Sequence, residues 1–560
     1  MTAVRRLLTT FLLSLMAATM LAQDAPVQRT TEKVVADTDR DATDPRALRL
    51  SLSDAVNTAV NQNLGVQIQT YERQIAGQNH RSEYGLFDFV SAAQLKTESD
   101  IAPTTSTFDP SGRRAITANA SINQIIPTGG QYTVGFTNLR QNIIGGGTFV
   151  NPSYNTGLNF GFTQPLMRDF GVDITRRGIT IARNNLGFTR GEFQNAVMDT
   201  VHSVEQAYLD LIYARRNVEV VKESLFLARD QSRITQIRID VGAAAPLDIL
   251  QPRVQVSTTE ESLVVAIATV RDAEDQLRKF LNLPESEWDR PIIPTEDDVT
   301  YQPMTVDVKS AVAQAIANRP EVIQQTLLTE NARVQALFLR NQTLPTVDLA
   351  LNYNLGGVAG RRLDENGELI ESTNYGNVLS QIAGLDFPNW DVGVNFGLPL
   401  LNIGARSRAR AAELDLQQSR TFESQTRQNI AIEVRAAART IDEYAQTITA
   451  SRAARDAAER NVDAYRRRYE NGMATNFEVL QVQQQLADAR VRELLALVGY
   501  RKAVALYHRR VGDILEVHNI RLAEDEKVDI PPDTFFDRVN WLNYGSRVEG
   551  NRVRTEDQPR

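Results

Sequence analysis

Two segments of the 560-residue chain run nearly in parallel: VGAAAPLDILQ from Val241 to Gln251, and NGMATNFEVLQ from Asn471 to Gln481. In each, a glycine (Gly242, Gly472) ends one long helical pattern. An acid six residues on (Asp248, Glu478) then falls in the first turn of the next, followed by an aliphatic pair. Glycine suits the left-handed cap that closes a helix, and an acid is favoured at the positive end of the helix that follows. The chain therefore makes a helix–turn–helix tip twice. Helices that meet at such tips must return beside one another, so the fold has to accommodate two equivalent hairpins.

The duplication extends beyond the tips. LSDAVNTAVNQN (52–63) aligns with VKSAVAQAIANR (308–319), matching Ala55 with Ala311, Val56 with Val312, Ala59 with Ala315 and Val60 with Ile316 on one helical stripe. Each half is predicted to open with a helix of about 35 residues, over 51–84 in the first. Strands follow, ended by a proline in FGFTQPLM (Pro165) and NFGLPLL (Pro399). A descending helix of about 70 residues then spans about 105 Å, and a return helix of about 36 residues stacked on the opening helix matches that length. Val204, Ala207, Leu211, Ala214, Val218, Val221, Leu225 and Ala228 alternate spacings of three and four. So do Val434, Ala438, Ile441, Ala445 and Ile448, with Leu480, Gln484, Ala487, Val491, Leu494 and Val498 on the return. Such heptads predict coiled-coil packing.

The ends and the composition narrow the class. Arg5-Arg6, an apolar run from Leu7 to Leu21 and Ala22-Gln23-Asp24 form a secretory signal with cleavage expected near Ala22. With no cysteine there is no lipidation box, disulfide or thiolate metal site. No later apolar run reaches the length of a membrane helix, so the exported chain stays soluble or crosses a membrane as strands. A formal net charge of −8 argues against nucleic acid as a partner. The predicted organisation is a signal peptide (1–22), a flexible leader (23–50) and repeat 1 (51–283, strands about 87–165, hairpin about 172–281). A proline-rich linker (284–306) leads to repeat 2 (307–512, strands about 345–398, hairpin about 405–511) and a polar tail (513–560) with aromatics Phe535, Phe536 and Trp541.

The strands alternate. Leu158, Phe160 and Phe162 share one face; Val347, Leu349, Leu351 and Tyr353 another; Val392, Val394, Phe396 and Leu398 a third. Segments of this length fit strands tilted across a bilayer, although a soluble sandwich alternates too. One chain has too few strands to close a barrel, and lipid-exposed edges are forbidden, so closure requires several copies. The first half also carries a hairpin at about 115–140, with Ile116, Ala118, Ala120 and Ile122 before Pro127-Thr128-Gly129-Gly130 and Tyr132, Val134 and Phe136 after it. It either adds two strands to the barrel wall or folds outside the bilayer.

The duplicated helix–strand–helix plan, the TQPL exit at Thr163–Leu166 and the paired G-x5-[DE]-[IV]-L tips resemble the TolC-type outer-membrane efflux proteins over about residues 50–515. The resemblance implies a mainly α fold with a β-barrel portion. In it, long coiled-coil hairpins of two tandem repeats form a trimeric α-barrel continuous with a transmembrane β-barrel. It implies a homotrimer in the outer membrane that extends into the periplasm. Its partners would be a periplasmic adaptor (membrane fusion protein), an inner-membrane RND or ABC transporter and outer-membrane lipid. Family tips close by an acidic ring, the position of Glu478; Gln481 stands where a second acid can occur. Tyr469 and Asp248 match a pair that links neighbouring hairpins, and the accompanying arginine is replaced by Ala474. Gly242, Ala244, Leu247, Gly472, Met473 and Phe477 are the expected adaptor contacts, unless they are buried within the tip.

Two rival classes remain. An enzyme finds little support, because His80, His202, His508 and His518 have no ligand spacing and Asp248 and Glu478 each have a simpler role at a helix start. No catalytic residue, metal site or cofactor is expected. A periplasmic coiled-coil adaptor or scaffold would show one hairpin between β modules rather than two hairpins with amphipathic strands. The exported cargo has no readable code.

Overall fold

The computed structural model describes residues 45–522, apart from residue 104 and segments 106–108, 146–149, 297–299 and 365–367. The signal segment, most of the leader and the aromatics Phe535, Phe536 and Trp541 lie outside the described residues. The chain divides into a helical unit, which includes Arg183–Leu344 and Pro399–Arg521 with the chain up to Gln74, and a sheet unit, which includes Ile75–Ala182 and Pro345–Leu398. In order, the elements are β1 (Leu48–Leu50), α1 (Leu52–Gln62), α2 (Leu64–Ser82), β2 (Val90–Ile101), β3 (Gly112–Ile125), β4 (Gln131–Ile144) and β5 (Val150–Pro165). Next come α3 (Arg177–Asp240), α4 (Leu250–Leu281), β6 (Ile292–Pro294), α5 (Val308–Asn318), α6 (Pro320–Asn341), β7 (Thr346–Leu363) and β8 (Leu369–Ser372). The last are α7 (Tyr375–Ala383), β9 (Pro388–Gly397), α8 (Ile403–Glu470), α9 (Asn476–Val511) and a short helix α10 (Ile514–Val517), whose Ile514 and Leu515 are buried at the start of the expected polar tail.

The two descending helices, α3 with 64 residues and α8 with 68, each span about 100 Å. The expected seam of α3 is buried except for half-buried Val221, and Leu263, Ala266, Val270 and Leu277 of α4 are buried with it. The return helix α9 departs from expectation by one phase. Its buried row is Val479, Val482, Leu486, Ala489, Glu493, Ala496, Tyr500, Ala503, Tyr507 and Val511, again at spacings of three and four. Of the expected row only Leu480 and Val498 are buried. A hydropathy reading passes over this seam because it contains small alanines and an acid, Glu493, which is neutralised by Arg452 and Arg455 at 3.2 Å each.

Each opening helix is broken rather than continuous. Asn63 leaves helical geometry between α1 and α2 (φ −61°, ψ 129°), and Arg319 does the same between α5 and α6 (φ −74°, ψ 126°). Arg319 precedes Pro320, whose ring disfavours helical geometry in the residue before it. The breaks are where the return helices end. Asn63 Nδ2 donates to Phe280 O (3.0 Å) at the end of α4, and Asn282 Nδ2 donates to Gln62 O (3.1 Å). In the second half Gly512, left-handed at φ 87°, closes α9 against Arg319, so close that a Cβ there would sit 3.2 Å from its Cγ.

The leader and linker also differ from expectation. Leu48–Leu50 pairs in parallel with Ile292–Pro294, making a two-stranded sheet from residues read as structureless. Ile292 is fully buried, and its amide donates to Glu274 Oε1. Proline-rich composition hid this short apolar pair.

In the sheet unit, six strands run antiparallel in the order β2-β3-β4-β5-β7-β9, with β8 on the outer edge of β7 beyond β9. The extra hairpin is therefore part of the sheet, paired with β2 on one side and β5 on the other. Its turn packs at the end of the sheet from which the chain leaves for α3: Gly129 is left-handed (φ 91°), Gly171 N donates to Thr128 O (3.1 Å), and Thr128 Oγ1 donates to Gln164 Oε1 (2.8 Å). Above β9, the edge of β7 is finished by side chains. Gln381 of α7 bonds both the N–H (3.0 Å) and C=O (3.3 Å) of Val358, and Thr373 Oγ1 accepts from Gly360 N (3.0 Å).

Candidate functional site

Two regions carry the structural features that chemistry could use: the faces of the sheet and the hairpin tips. Successive residues of a strand point to opposite faces, so register decides what each face presents. One level of the sheet aligns Ile122, Val134, Phe160, Tyr353 and Trp390, and the level nearer the helix-side end aligns Gln124, Tyr132, Phe162, Leu351 and Val392, with the Tyr132 hydroxyl donating to Gln124 Oε1. Trp390, Val392, Val394 and Phe396 of the edge strand β9 are all exposed. The opposite face presents Asn123, Thr133, Gly161, Asn352 and Asp391 in one row and Ser121, Gly135, Asn159, Asn354 and Asn389 in the next. Here Thr133 Oγ1 donates to Asn123 Oδ1 (2.7 Å) and Asn352 Nδ2 to Asp391 Oδ2 (2.9 Å). One face suits hydrocarbon and the other suits water.

The tips share one geometry. Gly242 (φ 75°) and Gly472 (φ 72°) are left-handed, and the residue after each donates back five positions, Ala243 N to Arg238 O (2.7 Å) and Met473 N to Arg468 O (2.8 Å). That is the Schellman closure that a glycine permits. The acids cap their own turns. Asp248 Oδ2 accepts from Ala245 N (3.0 Å), while Glu478 Oε2 accepts from Thr475 N (2.7 Å) and Thr475 Oγ1 (2.8 Å). The donated Thr475 amide, followed by its hydroxyl, holds the Glu478 carboxyl below the usual range. The Thr-x-x-Glu spacing is the sequence pattern of such a reciprocal cap, which the search for a helix-start acid passes over.

Within the chain, Tyr469 and Asp248 bond other partners. The Tyr469 hydroxyl lies 3.4 Å from Thr235 Oγ1 in a buried setting, and Asp248 is engaged with Ala245. Arg238 holds the tyrosine instead, its guanidinium 4.6 Å from the ring centroid and its Nη1 donating to Tyr469 O (2.9 Å). The two hairpins also meet through Gln231 Nε2, which donates to Asn476 Oδ1 (2.7 Å). Gln231, Thr235, Arg238 and Asn476 had no periodic signal. Gln481 is exposed, Ala244 is half-buried, and Gly242 and Gly472 are exposed. Leu247, Met473 and Phe477 are 75%, 64% and 56% exposed, so the chain itself does not bury them.

The sequence matches the outer membrane efflux protein family over residues 132–283 and 311–506. It is 21% identical to outer membrane efflux protein BepC of Brucella suis, over 57% of this chain and 64% of that one, just under two thirds of its length. It is 22% identical to outer membrane protein TolC of Escherichia coli, over 61% of this chain and 68% of that one. Among solved structures, the outer-membrane channel CmeC of Campylobacter jejuni superposes with a TM-score of 0.60 at 15% identity, covering 85% of this chain and 87% of that one. The outer membrane protein VceC of Vibrio cholerae gives 0.59 at 15% identity, covering 82% and 96%. The duplicated tips, the two-faced sheet and these matches agree: the chain belongs to the outer membrane efflux protein family.

Proposed function

We propose that the protein is the outer-membrane channel of a tripartite efflux or type I secretion system, working as a homotrimer with a periplasmic adaptor and an inner-membrane RND or ABC transporter. The observation that carries this reading is the sheet with one apolar and one amide-rich face, in a chain that also bears two helical hairpins with matching tips. A trimer would set three Glu478 carboxylates around one axis at the narrow end, where they would attract cations and restrict passage. Asp248, Gln481 and Tyr469 would border that constriction, and Leu247, Met473 and Phe477 would meet the adaptor beside Gly242, Ala244 and Gly472. Because one relative is a toxin and drug export protein, cargo of those classes is the first to test. The experiment is purification from outer membranes, crosslinking and single-channel recording in planar bilayers. A conducting trimer is expected; a stable monomer that partitions into the soluble fraction would overturn the reading.

A further inference from the structure

Taking the channel reading as given, we infer that three copies close a barrel of eighteen strands, six from each, with β9 of one copy paired to β2 of the next. Val90, Asn123, Thr133, Gly161, Asn352 and Asp391 lie on one hydrogen-bonded row across the sheet. Below that row, toward the ends from which the chain leaves for its helices, the strands stop at progressively lower levels. β2 starts on the row at Val90. Ile125 and Gln131 lie two residues below it, Pro165 four, and Thr346 and Gly397 six. The base descends by about one residue per strand, and the extra hairpin falls on the line between β2 and β5.

A closed barrel requires this stagger. With about 3.3 Å per residue and about 4.8 Å between strands, one residue per strand corresponds to a tilt of about 35°, the tilt barrels adopt. Three copies would accumulate a shear of about eighteen residues over eighteen strands, around a wall of roughly 105 Å, against roughly 70 Å for twelve strands at the same tilt. An even number of strands per copy also keeps every pairing antiparallel through the seam.

Levelling the bases fixes the seam register, with Gly397 of one copy beside Val90 of the next. That register sets Asp391 directly opposite Lys96 on the amide-rich face. On the apolar face it sets Val392 opposite Leu95 and Val394 opposite Ala93, with Phe396 beside the small Ser91. Among the described residues β2 pairs only with β3, and β9 only with β7, so both outer edges are open to such pairing. Among the described residues Lys96 pairs with Glu98 of its own strand at 3.0 Å, and Asp391 accepts from the Asn352 amide. The opposed charges and the continuous apolar face identify the occupant of each edge as a second copy of this chain.

The absence of native cysteine allows a direct test in membrane-embedded protein. Leu95→Cys with Val392→Cys should form an interchain disulfide and a covalent trimer. Leu95→Cys with Phe396→Cys, on the same face but four residues out of register, should not. Ala93→Cys with Ala120→Cys should form an intrachain bond in the same trimers. A strand has two edges, so both bonds together leave no edge of β2 for β5 and place the hairpin in the wall. Lys96→Asp should weaken the detergent-resistant trimer, and adding Asp391→Lys should restore it. Conducting trimers that lack the Leu95–Val392 bond, or the Ala93–Ala120 bond, would overturn the eighteen-strand wall and leave the channel reading standing. Monomers without conductance would overturn both.

Discussion

Glu274 lies in the interior of the first hairpin with its carboxylate held by Arg215 (2.9 Å), Arg278 (3.2 Å) and the Ile292 amide (3.2 Å). Removing one member of such a set strands the others without a partner, so Glu274→Ala should cost about 3–5 kcal/mol, read as a lowered unfolding midpoint in detergent. Glu478 makes a different kind of contribution, half-buried and confined to its cap. Its native carboxyl titrates below the unfolded value, so its stabilisation is full above the ordinary glutamate range and is lost as pH falls through the lower native value. Thr475→Ala should raise that titration toward the ordinary value, measured by NMR on a labelled tip. Glu478→Ala should raise single-channel conductance and reduce cation preference; an unchanged trace would remove Glu478 from the constriction. At this scale the caps and glycines were legible, because each is a local rule written within six residues. Glu274, Glu493 and Arg319 were not, since their burial depends on partners distant in sequence.

The elements follow from periodicity wherever apolar side chains carry it. The α3 seam was readable; the α9 seam was misread by one phase because Ala489, Glu493 and Ala496 carry little hydropathy. The break at Arg319–Pro320 was written in the proline, whereas the break at Asn63 depends on its side chain meeting the end of α4. At the second tip, the positive φ of Gly472 makes Gly472→Ala cost about 1 kcal/mol, measurable as earlier thermal unfolding. Tyr469→Phe should change channel opening little, because the ring and backbone contacts to Arg238 survive it. Arg238→Ala removes both and should raise the open probability in bilayers. The reverse order of effects would return the tyrosine hydroxyl to the centre of the tip.

For the whole molecule, duplication, strand alternation and the need for closed edges together pointed to an assembled channel. The place of the extra hairpin was undecided from sequence, because alternation specifies which residues share a face but not which strand lies alongside. The register of β3 and β4 settles their place in the sheet. A channel built from this sheet requires one physical assignment, that the amide-rich face meets water and the apolar face meets lipid. Single cysteines at successive positions of β7 in the cysteine-free chain test it directly, with a membrane-impermeant thiol reagent applied to reconstituted channels during recording. Asn352→Cys and Asn354→Cys should react and reduce the current, while Leu351→Cys and Tyr353→Cys should stay unmodified. Equal reaction at all four positions, or reaction at the apolar pair alone, would contradict the account.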